Sequence, residues 1–112
     1  MSEITPAELL EAAKTRLMEK GWVRGRWGSK EGPNCAGGAL IAEGLKCNDY
    51  LLGEGSSKYL AERFLVGAIQ HRGFGNMFSI PTWNDKIAKD FNDVVALFDE
   101  AIILAKEAER GV

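Results

Sequence analysis

Apolar residues recur at helical spacing in four stretches of this chain. In the first, Leu9, Leu10, Ala13, Leu17 and Met18 share one face, while Glu8, Glu11, Lys14, Arg16 and Lys20 fall mostly elsewhere. Thr5-Pro6-Ala7-Glu8 ahead of them reads as a capping box with Pro at the first helical position. Gly21 is the natural stop. A second, short helix is expected to be capped near Asn34 and to end at Gly44, with a small face of Ala36, Gly37 and Ala39. Gly37 and Gly38 each cost about 1 kcal/mol of helix propensity relative to Ala, a cost that close packing would offset. Ser56 or Ser57 caps a third helix through Tyr59, Leu60, Phe64, Leu65, Ala68 and Ile69 to about His71. The last helix should start just after Asp90, with Asp93 in its first turn, and stop near Arg110 before Gly111. Phe91, Val94, Val95, Phe98, Ala101, Ile102, Ala105 and Ala108 form one face of it. Leu97 and Leu104 widen that face, and Ile103 falls near the polar stripe of Asp99, Glu100, Lys106, Glu107 and Arg110.

The connecting stretches read differently. Trp22 to Trp27 alternates Trp, Val and Arg and suggests a strand or extended arm, followed by a turn cluster from Gly28 to Pro33. Residues 45–56 form a loop with an apolar spot at Tyr50-Leu51-Leu52, and Gly73 to Pro81 forms a loop carrying Phe74, Met77, Phe78 and Ile80. The expected architecture is mainly α, with about four helices around one core and a small extended or hairpin element near residues 22–31. The whole chain, 1–112, reads as one globular domain.

Composition narrows the function. With 46% hydrophobic and 27% charged residues the sequence belongs with globular proteins. A formal net charge of -2 argues against general phosphate-backbone binding, which needs clustered positive charge. Cys35, Cys47 and His71 are the whole complement of cysteine and histidine. They fall short of the roughly four ligands of a structural zinc site and suggest neither a disulfide framework nor a cofactor. The acidic start, Met1-Ser2-Glu3, does not read as a signal peptide, and no apolar run approaches the ~20 residues of a membrane span. A cytoplasmic protein with reduced thiols is expected.

Several groupings could carry chemistry, and each has a plainer structural reading. Cys35 before a helix start, with His71 and Asn84 or Asp85, could form a Cys-His-Asn hydrolase set, but nothing in the spacing forces these groups together. Cys35 reads more simply as a small buried hydrophobe with an unreactive thiol. Gly32 to Gly38 could cradle an anion at a helix N-terminus or be a turn that permits tight packing. Trp22, Arg24, Arg26, Trp27 and Lys30 interleave aromatic and basic groups, a composition suited to single-stranded nucleic acid. Alternatively one Trp anchors the arm while the arginines stay solvated. His71 and Arg72 beside Gly73 suit a helix C-terminus. Trp83-Asn84-Asp85 suits a structural corner in which Trp fills the core and the polar side chains bond nearby backbone, with ligand contact as the alternative.

Gly21-Trp22, Gly32, Cys35, Gly38-Ala39-Leu40, Trp83-Asn84-Asp85, Asp90 and Val94 also follow one another in an order that resembles an uncharacterised family of small proteins from actinobacteria and their phages. The resemblance touches both ends of the chain and leaves residues 46–80 uncovered. At Lys86 to Lys89 the chain departs from it, where a turn with Pro or Gly would be expected. The resemblance supplies no catalytic residues. It implies a small phage accessory protein acting through a protein partner, such as a host protein, or as a homodimer. The expected function is therefore non-enzymatic binding, with Leu97, Ile103 and Leu104 of the over-wide last helix as the partner surface. The alternative is a small enzyme or ligand-binding domain with a pocket between the Cys35 and Trp83 regions. A third reading is nucleic-acid binding through the Trp22–Lys30 arm. His71, Arg72, Asn84 and Asp85 are the further candidates for ligand contact. No metal, cofactor or membrane is expected.

Overall fold

The computed structural model describes residues 4–25, 28, 32–46, 57–74 and 79–110. Its helices are α1 (Pro6–Lys20), α2 (Ala36–Lys46), α3 (Ser57–Ile69), α4 (Ile80–Thr82) and α5 (Phe91–Glu109). Wide π-type turns follow α3 at Gln70–Phe74 and α4 at Trp83–Ile87.

Helices α1 and α5 start where the sequence offers a partner for free backbone N–H groups. Thr5 and Glu8 form a reciprocal capping box at α1, and the Asp90 carboxylate accepts from the Asp93 N–H at α5. The α1 start is further fixed by the last turn of α5, because Glu109 accepts from the Ala7 N–H (3.2 Å). Helix α2 is capped at Cys35, beside the expected Asn34, the Cys35 Sγ accepting from the Gly38 N–H at 3.3 Å. Asn34 is fully buried, and its Oδ1 accepts from Arg16 Nε (2.6 Å).

Helix α5 packs against α1 and α3, and α2 packs against the same two. Leu9, Leu10 and Leu17 of α1 meet Leu40 of α2, Leu65 and Ile69 of α3, and Val94, Leu97 and Phe98 of α5 in one core. The loop expected from Gly73 to Pro81 is partly helical. Ser79 caps the single turn α4, and this turn places Ile80 and Trp83 in the core.

The extended or hairpin element expected near residues 22–31 is not found. Among the described residues there is no strand, only isolated bridges from Asn34 to Trp22 and to Gly28. The reason is local. Val23 N–H donates to the Asn34 carbonyl (3.1 Å) and Asn34 N–H to the Gly21 carbonyl (3.2 Å), so the described part of the arm pairs with the residues leading into α2. Gly28 cannot be replaced in this arrangement. Its φ is +101°, and an added Cβ would lie 2.3 Å from the Pro33 carbonyl oxygen. Arg26, Trp27 and Lys30 lie outside the described residues.

Candidate functional site

Asn84 is the polar centre of the molecule. The i to i+5 turn after α4, closed by Ala88 N–H donating to the Trp83 carbonyl (2.9 Å), sends Trp83 into the core and leaves Asn84 facing the arm and the start of α2. Its Oδ1 accepts from Trp22 Nε1 (2.6 Å) and from the Ala36 N–H (3.0 Å). Its Nδ2 donates to the Val23 carbonyl (3.1 Å) and to Asp85 Oδ1 (2.8 Å). A side-chain amide offers two acceptor and two donor positions, and all of them are used here. The Ala36 N–H is one of the free donors at the α2 N-terminus, so Asn84 assists Cys35 in capping that helix.

Asp85 closes the corner. Its Oδ1 accepts from the Gly25 N–H (2.8 Å), and this bond chiefly holds the carboxyl below its ordinary pKa. The Asn84 amide adds to the effect; burial opposes it, and the charges of Lys86 and Arg24 lower the carboxyl a little further. Arg24 reaches back over the same region. Its guanidinium lies 4.8 Å from the Trp22 ring centroid and donates to the carbonyls of Ala88 and Lys89. The Trp22 ring also stacks on Phe91 at the start of α5, with centroids 6.1 Å apart. Trp22, Arg24, Asn84 and Asp85 are thus engaged with one another and with backbone. Trp83 Nε1, in contrast, is buried with no hydrogen-bond partner among the described residues.

A second buried polar group lies behind Asn34. Arg16 is buried on α1, where its NH1 also pairs with Glu43 of α2 (3.2 Å). Periodicity alone had placed Arg16 off the packed face. The pairing of its charge with Glu43 and its bond to Asn34 offset the cost of burying it.

A family model described as a family of unknown function, DUF6197, matches residues 1–104. The chain belongs to that family. No curated protein and no solved structure gives a match.

The remaining candidates are scattered. Cys35 is buried and lines a groove between α2, α3 and α4, near Tyr59, Val66 and Ile80. His71 and Arg72 are exposed and face Glu100 of α5, each at 3.5 Å, so His71 serves a surface pairing. Among the described residues no cluster of His, Cys, Asp and Glu could hold a metal, and no helix is long and apolar enough to cross a membrane.

The expected partner surface on α5 needs correcting. Leu97 is fully buried against the core, so a partner cannot reach it. Leu104 is half-buried and packed on the core. Ile103 remains, 58% exposed, and the fold brings it beside a residue the sequence had assigned to the α1 core face. Met18 is 61% exposed and lines the same surface groove, with Thr15 and Ile102 between the two helices.

Proposed function

We propose that this chain is a non-enzymatic accessory protein that acts by self-association through the α1–α5 face. The observation that carries this reading is the exposure of Met18 and Ile103 at one groove of about 470 Å³. A large apolar side chain exposed singly needs no explanation, but two at one groove favour an interface. The surroundings favour a second copy as the partner. Lys14 pairs with Asp99 (2.5 Å) and Lys106 with Glu11 (3.2 Å) around the apolar centre. An isologous interface must complement itself, and a neutral face with both signs around an apolar centre can do so across a twofold axis. The polar corner supports the non-enzymatic part of the reading, since Asn84 and Asp85 spend their hydrogen bonds on holding the chain together. An actinobacterial or phage source belongs to this proposal and rests on the motif resemblance; a cytoplasmic location belongs to it too and rests on the sequence pattern. A host protein on the same face is the competing partner.

Sedimentation velocity over a concentration series tests it. The wild type should show mass-action association that Ile103→Glu abolishes. A wild type that stays monomeric at the highest attainable concentration would overturn the self-association reading.

A further inference from the structure

A second open region lies between α2, α3 and α4. It is a groove of about 340 Å³, at the lower end of the ~300–1,000 Å³ typical of small-ligand sites. Its walls are mostly apolar, with Ile41, Val66, Ile80 and the Cys35 thiol among them. Gly37 leaves one wall bare. A Cβ there would meet Ile80 Cγ2 at 3.7 Å, an ordinary contact, so the space beside Gly37 is not demanded by helix packing. The charges along the groove are unequal in availability. Glu62 pairs with Lys58 (3.2 Å), whereas Arg63 is exposed and has no ion pair among the described residues. The groove therefore combines an apolar body with one uncommitted cation at its side.

We infer that this groove binds an anionic amphiphile, a molecule with an apolar chain and a single carboxylate. The chain gains from leaving water against Ile41, Val66 and Ile80. The carboxylate pairs with the Arg63 guanidinium, which presents donors in a fork matched to two carboxylate oxygens. Because Arg63 is exposed, the head group keeps contact with water and avoids the full cost of burying a charge. A neutral chain would lose the ion pair, and a cationic one would meet repulsion from Arg63. This site is separate from the α1–α5 face and does not depend on self-association.

Calorimetric titration of the full chain with decanoate, decanol and decyltrimethylammonium, each below its micelle concentration, tests the inference. Decanoate should bind in a single saturable site, more tightly than decanol, with decyltrimethylammonium weakest. Arg63→Gln should weaken decanoate about tenfold, as expected for loss of one charge-assisted bond, and leave decanol unchanged. Gly37→Leu should fill the bare wall and abolish binding of both. Its helicity is checked by circular dichroism, and Ile41→Trp, which narrows the groove from a half-buried position, provides an independent obstruction. The inference fails if decanoate gives no saturable binding to the wild type. It fails equally if decyltrimethylammonium binds as tightly as decanoate, or if decanoate affinity is unmoved in folded Gly37→Leu and Ile41→Trp.

Discussion

The Asn84 corner and the α1–α5 face carry their residues in opposite states. At the corner, Trp22, Arg24, Asn84 and Asp85, which could have met a ligand, are engaged with one another and with backbone. Asn84 alone joins the arm, the start of α2 and the turn before α5. On the α1–α5 face, two apolar side chains that could have entered the core remain in water. A buried polar network must be fully satisfied or it destabilises, so the density of chemistry-bearing residues at the corner measures how much of the fold depends on it. An exposed apolar pair has no such internal debt, and its surface is left available to a partner.

If the corner is structural, its variants should unfold the chain before they alter any association. Trp83→Ala should cost the most, about 3–5 kcal/mol for a buried large aromatic, read by urea denaturation. Arg16→Ala should fall in the same range of about 3–5 kcal/mol, because the buried Glu43 carboxylate would lose its ion pair with Arg16. Trp83→Phe makes a sharper contrast. It removes an indole N–H that has no partner among the described residues, so the cost should stay under about 1.5 kcal/mol. Asn84→Ala leaves Trp22 Nε1, the Ala36 N–H and the Val23 carbonyl unpaired, and about 2–4 kcal/mol is expected. A stability unchanged by Asn84→Ala would return the corner to the list of open binding sites.

Asp85 gives a pH-dependent version of the same test. Its folded pKa lies below the ordinary value, so its contribution is present above the unfolded-state pKa, near pH 4. That contribution is lost as pH falls through the folded value. Acid unfolding of the wild type should therefore include a step below about pH 4 that is shallower in Asp85→Asn. The smallest effect on stability belongs to the other region. Ile103→Glu should change it by no more than about 0.5 kcal/mol, as is usual at an exposed site, while removing association.

The helical framework was legible because it depends on local signals. Thr5 to Glu8, Gly21 and Asp90 mark helix ends by chemistry that acts within one turn. The motif around Trp83 was legible as a structural corner for the same reason, since Trp, Asn and Asp in sequence suit a bend that is half core and half polar. What could not be read was anything set by two distant elements at once. The buried bond from Arg16 to the Asn34 side-chain oxygen joins two separate elements, and no local pattern announces it. The arm alternates like a strand, but Asn34 supplies the backbone partners of its described residues, which form isolated bridges and no strand. Arg16 was misplaced because periodicity has no means of anticipating Glu43. Leu97 and Met18 exchanged roles for a related reason. How far around its circumference a helix is covered depends on which neighbours flank it, and α5 lies between α1 and α3.

One measurement reads both regions together. In a concentration series followed by NMR, the methyl signals of Met18 and Ile103 should shift or broaden progressively, while the Trp22 indole N–H and the Asn84 side-chain amide stay fixed. Methyl signals that hold still across the whole series, or concentration-dependent shifts centred on Trp22 and Asn84, would contradict the assignment of association to the α1–α5 face and of structure to the corner.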